Sequence, residues 1–163
     1  MPKSVIMARC TCGRVALEAS GAPITSTICH CSGCREAGHI LEQLPHAPPV
    51  LDADEGTALI LFRKDRVRCV KGSENLREHR LKESSPTRRV AAVCCNSFMF
   101  LDFTKGHWVS VASDRLDARA GIEDAPKQGR QSVMFILRLM IAWAKMGFRT
   151  PTIDYVNGKL SND

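Results

Sequence analysis

Short runs of alternating apolar and polar residues fill the first two thirds of the chain, and a longer period takes over only near the end. Residues 5–18, VIMARCTCGRVALE, predict a strand, a turn at Gly13 and a second strand, because RVALE alternates. SGAPITS reads as a loop leading into TICHCSGC, and REAGHILEQ has room for one helical turn. LPHAPPVLDADEG is proline-rich, cannot form regular helix and predicts a surface loop. TALILFRKDRVRCV contains one or two strands, and KGSENLREHRLKESSPTRR reads as a polar connection. VAAVCCNSFMFLDF predicts buried strand on both sides of a turn at CCNS, and HWVSVAS one more short strand.

From Gln131 to Lys145 the pattern becomes helical. Val133, Ile136, Leu137, Met140, Ile141 and Ala144 form one clean stripe, and Phe135, Leu139, Ala142 and Met146 lie beside it. Such a helix is apolar around much of its surface. It is too short to span about 30 Å of hydrocarbon, and Arg138 and Lys145 interrupt it. The reading is burial against a β core plus a subunit contact, which points to a homodimer. Gly147 ends the helix and Pro151 prevents its return.

With 163 residues, 44% apolar and 25% charged, the chain has the size and composition of one globular domain with its own core. The start, MPKSVIMARC, has no long apolar run and no small-residue cleavage site, so the expected compartment is the cytoplasm. Eight cysteines in a reducing compartment point to metal or catalysis before disulfides. The formal charge of +6 counts every thiol as neutral. Seven thiolates around two Zn²⁺ would lower it to about +3. With few aromatic residues for base stacking as well, the basic balance is weak evidence for a nucleic-acid partner.

Seven of the cysteines cluster. Cys10 and Cys12 make a Cys-x-Cys pair before Gly13, Cys29, Cys31 and Cys34 a Cys-x-Cys-x-x-Cys triplet, and Cys94 and Cys95 are adjacent. Zinc takes four thiolate or imidazole ligands in a tetrahedron, at about 2.0–2.3 Å. A short turn supplies two or three of them, and a distant segment closes the site. Cys10 and Cys12, joined by one or both of Cys94 and Cys95, make a structural site. The triplet supplies three ligands, and a fourth position left open is what a catalytic zinc keeps for water or substrate. Completion of the triplet by His30 or His39 would make both sites structural. A Cys-x-Cys disulfide closes a strained ring. A redox Cys31-x-x-Cys34 pair needs a helix N-terminus after a strand in a βαβ unit, which the pattern does not supply. Cys69, in VRCV, reads as a small buried apolar group, and Trp108 and Trp143 as packing residues. His30 reads as turned away from the metal, and His39 and His46 as loop residues.

ARCTCGRVALE, then ICHCSGCREAG, then CCNS before an apolar strand resemble the glutathione-dependent formaldehyde-activating enzyme family, which includes centromere protein V. The resemblance runs from Arg9 to Phe103 and also touches a bacterial branch of that family. It implies a mainly β (α+β), Mss4-like zinc-binding architecture, here with an added C-terminal helix. On that basis residues 1–127 form the zinc-binding β domain, and 128–163 a helix and tail packed on it. It further implies that Cys10 and Cys12 are structural ligands, and that Cys29, Cys31 and Cys34 hold the catalytic zinc. The family ends its structural site with Cys-x-x-Cys-Gly-Ser. Here Ala92 stands where the first cysteine belongs, Cys95, Asn96 and Ser97 follow the rest of the pattern, and Cys94 is adjacent. Neighbouring strand side chains point to opposite faces, so both thiols reach one metal only if the backbone turns sharply. Asn96 tolerates the left-handed conformation such a turn needs. Otherwise Cys94 goes elsewhere, even to the triplet's metal.

The implied activity is that of a carbon–sulfur lyase: glutathione joins formaldehyde to give S-hydroxymethylglutathione, or the adduct is cleaved. The partner is then a small-molecule thiol, and the stretch Arg63–Arg89, ten Lys/Arg against four Asp/Glu, is either a steering surface for it or an ordinary solvated face. The rival classes are a binding module that uses zinc only for folding, and a thiol redox sensor.

Overall fold

The computed structural model describes residues 4–117 and 132–160. In chain order the elements are β1 (Val5–Arg9), β2 (Ala16–Ser20), β3 (Thr25–Cys29), α1 (Ser32–Glu42), β4 (Thr57–Arg63), β5 (Val67–Lys71), β6 (Leu76–His79), β7 (Thr87–Ala92), β8 (Ser97–Phe103), β9 (Trp108–Ala112) and α2 (Val133–Lys145). A three-stranded antiparallel sheet runs β1-β2-β5, and a six-stranded one runs β3-β4-β9-β8-β7-β6. The fold is mainly β with two helices, one of them C-terminal.

The larger sheet is covered on both faces, which explains why β4 and β8 read as nearly continuous apolar runs. Ile60 and Phe62 of β4 share a core with Ile6, Leu17 and Val67 of the smaller sheet and with Val15 just before β2. On the opposite face Leu59 and Leu61 meet Leu41 of α1 and Phe135 and Leu139 of α2. Strand β8 switches faces through a register shift. Val90 pairs with Phe100 and Ala91 with Phe98, so Met99 is the extra residue. Met99 and Phe100 therefore both enter the sheet-to-sheet core, while Phe98 and Leu101 face the helices.

Several expectations are corrected. The single turn expected in REAGHILEQ is an eleven-residue helix. Its buried Cys34, Ala37, Gly38 and Leu41 follow i, i+3, i+4, i+7, a stripe whose small residues hid it. The polar connection after Lys71 contains β6, whose buried Leu76 anchors it while its outer edge binds the C-terminal tail through Asn157 N to Leu76 O and Leu160 N to Glu78 O. The loop SGAPITS ends early, because β3 starts at Thr25.

Helix α2 opens at Ser132, whose Oγ accepts from Phe135 N at 3.1 Å, and Gln131 lies outside the described residues. So does the boundary between 127 and 128. The two apolar stripes part ways. Phe135, Leu139, Ala142 and Met146 are buried, whereas the longer stripe carrying Val133, Ile136, Leu137, Met140 and Ile141 faces outward. His107, buried at the sheet end, stacks on Trp143 at 5.7 Å and meets Leu139 O at 2.7 Å through Nε2. Among the described residues no helix is long and apolar enough to cross a membrane.

Candidate metal centres

Two tight turns from distant parts of the chain build the first sulfur cluster. After β1 the chain reverses through Gly13 (φ 79°), with Gly13 N donating to Cys10 O and Cys10 N to Val15 O, both at 3.1 Å. Val15 N also donates to Cys10 Sγ at 3.2 Å. A second turn links β7 to β8, with Asn96 in the left-handed region at φ 54°. This turn brings the adjacent Cys94 and Cys95 to one side, where strand geometry would have parted them. Buried Ser97 ties the two turns together. Its Oγ lies 3.1 Å from Thr11 N, 3.0 Å from Thr11 Oγ1 and 3.0 Å from Cys95 Sγ.

The sulfurs of Cys10, Cys12, Cys94 and Cys95 all lie within 4.8 Å of one another. The separations are 3.6 Å for Cys10–Cys12, 3.8 Å for Cys10–Cys94, 3.4 Å for Cys12–Cys94 and 4.0 Å for Cys94–Cys95. A tetrahedron with metal–sulfur bonds of about 2.3 Å has edges of about 3.8 Å. A disulfide needs about 2.05 Å. The cluster therefore has the spacing of a four-thiolate metal site, and all four sulfurs belong to one group.

The second cluster is local. Strand β3 delivers Cys29, and the chain then caps α1 with Cys31, whose sulfur accepts from Cys34 N at 3.4 Å. Cys34 follows in the first turn of the helix. Cys29, Cys31 and Cys34 gather within 4.8 Å, with 3.3 Å between Cys29 and Cys31. Cys29 and Cys34 are buried and Cys31 is exposed. The triplet thus does sit at a helix N-terminus after a strand, contrary to expectation. The strands on either side of that helix are antiparallel, however, so no βαβ unit forms.

Neither histidine of this region joins the sulfurs. His30 is exposed and turns toward Gly56, where an added Cβ would meet its Nε2 at 2.7 Å. His39 contacts Glu55 at 2.8 Å, and Glu55 also binds Arg35. His46 is an exposed loop residue with φ 59°. Cys69 lies apart from both clusters and is half-buried rather than buried, with its Sγ 3.3 Å from Lys71 O. Trp108 packs against Phe103 at 5.7 Å.

Sequence reading missed Arg89. It is 6% exposed on β7, and its Nη2 lies 3.8 Å from Cys34 Sγ. Its signal was position: a cation entering the apolar run RVAAV. Within the Arg63–Arg89 stretch several cations are paired with carboxylates. Arg63 pairs with Asp65, Arg68 with Glu18, Arg80 with Glu78, and Arg88 with Asp102.

The neighbouring Cys29 and burial push the Cys34 thiol far up, and burial with Cys12 and Cys10 does the same to Cys94. Burial also pushes on Cys95, but hydrogen bonds from Ser97, Thr11 and the backbone outweigh it and bring the thiol down to about 6. Packing thiols whose charged forms repel one another is stabilising once a cation neutralises them, so the donor sets suit a soft metal ion.

Fold and clusters together define a mainly β protein with two cysteine-lined sites that could each hold a metal ion. Residues 5–42 match the family model for glutathione-dependent formaldehyde-activating enzyme, a similarity confined to that segment of the chain. The match takes in Cys10, Cys12, Cys29, Cys31 and Cys34 but not Cys94 and Cys95. Among solved structures, the chain is similar to a Rhodobacter sphaeroides protein from a structural genomics effort. TM-score is 0.51 and identity 17%, covering 75% of this chain and 99% of that one, a likeness of fold. No curated protein matches.

Proposed function

We propose that the protein is a zinc-dependent enzyme of the carbon–sulfur lyase type, acting on a thiol–aldehyde adduct. The reaction joins glutathione and formaldehyde to S-hydroxymethylglutathione, or an analogous pair, and runs in reverse. A sulfur–carbon bond forms as the carbonyl π bond breaks, and the thiol proton ends on the new hydroxyl oxygen. The observation that carries this reading is the unequal ligand count: four sulfurs in one cluster and three in the other. The four-sulfur set is complete for tetrahedral zinc and serves folding. Among the described residues no fourth ligand joins the trio, which leaves one coordination position for substrate. A zinc ion held there would lower the pKa of a substrate thiol and polarise an aldehyde oxygen.

The chain's own residues shape the rest. Cys31 marks the solvent side of the trio, and Cys29 and Cys34 hold its buried side. Beside it lies a cavity of about 140 Å³ lined by Val50, Asp52, Thr57, Phe98 and Asp114. Its walls Val50, Thr57 and Phe98 also line the crevice against Cys34 and Arg89. Residues 1–127 carry both sulfur sets, and 128–163 add a helix and tail to that domain. The reducing cytoplasm suits the free thiols.

Magnetisation-exchange NMR on glutathione and formaldehyde tests the reading. The zinc-loaded protein accelerates adduct exchange, and Cys29→Ser or Cys31→Ser returns it to the uncatalysed rate. Exchange at the uncatalysed rate with wild-type, zinc-loaded protein rejects the activity. A second reading, a zinc-stabilised interaction module, is favoured by the outward apolar face of α2. A homodimer through that face is compatible with both readings, and sedimentation of Ile136→Asp against wild type tests it.

A further inference from the structure

Two neighbouring arginines on β7 meet different surroundings. Arg88 points to one face of the strand and finds two carboxylates and a carbonyl. Its Nε lies 2.9 Å from Asp102 Oδ2, its Nη1 3.5 Å from Glu78 Oε2 and its Nη2 2.8 Å from Ile153 O. Arg89 points to the other face and is 6% exposed, yet among the described residues no carboxylate pairs with it. Its Nη2 contact is Cys34 Sγ, at 3.8 Å. His79, paired across the strands with Arg89, has a buried Nε2 without a hydrogen-bond partner, so it supplies no negative charge.

A buried, unpaired guanidinium is strongly destabilising, so a native fold keeps one only where an anion faces it. Glu36 of α1 reaches the field of His79 but forms no ion pair with Arg89 among the described residues, so the group in contact that can become anionic is Cys34, with Cys29 and Cys31 gathered around it. Three thiolates around Zn²⁺ carry a net charge of −1. An anionic fourth ligand would raise this to −2 in a half-buried site. The arginine opposes that extra charge without occupying a coordination position. No arginine contacts the sulfurs of the four-thiol cluster, among the described residues.

We propose that Arg89 is the built-in counter-charge of the three-sulfur centre and lets that centre accept a thiolate, rather than only a neutral molecule, as its fourth ligand. This rests on the zinc reading above. Arg89 is then a positioning residue that sets ligand class through charge, acting on any small thiolate whatever the rest of the molecule.

The test replaces zinc with Co²⁺ and titrates the full-length protein with 2-mercaptoethanol and, separately, glutathione, following the sulfur-to-cobalt charge-transfer band. Arg89→Gln weakens both thiols alike, by roughly 10–100-fold, the range for losing a partner of a metal ligand. Arg89→Lys, which keeps the charge, recovers most of the affinity. The four-sulfur cobalt spectrum reports folding in each variant, and Arg89→Met supplies a neutral side chain of similar length should the glutamine variant not fold. Unchanged affinity for both thiols overturns the inference. So does a loss confined to glutathione, because Arg89 would then be holding one of its carboxylates. Wild-type protein that never loads cobalt at the trio overturns the lyase reading itself. A loaded trio indifferent to Arg89→Gln sinks only the arginine's role.

Discussion

Both sulfur clusters use backbone turns to converge thiols, but they differ in reach and in completeness. The four-sulfur set draws Cys10 and Cys12 from the first hairpin and Cys94 and Cys95 from the β7–β8 turn, and Ser97 fastens the two turns to each other. The three-sulfur set draws all its members from six consecutive residues, exposes Cys31 and has an arginine on its buried side. Ligands far apart in sequence close a long loop when they share a metal, and so constrain the whole fold. Ligands from one short segment constrain only that segment and leave a position for chemistry. The two sets thus differ in reach as clearly as in the number of sulfurs.

The largest effect expected from this contrast is on stability. Stripping metal with a strong chelator, or Cys10→Ser, removes a major part of the roughly 5–15 kcal/mol by which such domains are stable. Thermal unfolding followed by circular dichroism measures it, and an unchanged Tm breaks the structural assignment of this cluster. Next comes Gly72→Ala. Gly72 has φ 76°, and an added Cβ would sit 2.0 Å from Arg14 O, in the loop that carries Cys12. A cost of about 2–4 kcal/mol in denaturant unfolding is expected, with weaker zinc retention at the four-sulfur set.

On the three-sulfur side the effects on stability are smaller. His79 pairs across the strands with Arg89, and burial, then Arg89, hold its pKa below the usual value. The folded form therefore binds fewer protons than the unfolded one. Stability falls as pH drops from the ordinary histidine value of about 6.5 towards the lowered one, and is constant above that window. His79→Gln flattens this slope relative to wild type, and an unaltered slope removes His79 from the account. Smallest is Cys31→Ser. Because Cys31 is exposed, global stability moves by no more than about 0.5 kcal/mol while adduct exchange disappears. A variant that unfolds instead would erase the distinction between the two clusters.

Much of this was legible in the chain. The spacing grouped Cys10 with Cys12 and Cys29 with Cys31 and Cys34, as the structure does, but left the destination of Cys94 open; Asn96 was the residue able to turn Cys94 and Cys95 to one side. Strands β4, β8 and β9 declared themselves through β-branched and aromatic runs. What escaped was decided by tertiary packing. Helix α1 buries a stripe of cysteine, alanine and glycine, residues that carry little hydrophobic signal. In α2 the cleaner periodicity belongs to the exposed face, because periodicity says that a stripe exists and not which partner covers it. Arg89 looked like one more charge in a basic stretch, and only the pleat of β7 sends it inward, away from the carboxylates that Arg88 meets.

The most direct test of the central contrast is an anomalous-scattering map at the zinc edge from crystals of protein purified without chelator. The account predicts two zinc sites. One is enclosed by Cys10, Cys12, Cys94 and Cys95, and the other is held by Cys29, Cys31 and Cys34 with a fourth ligand that the protein does not supply. A trio zinc closed by a fourth protein side chain, or no metal at the trio at all, would contradict it.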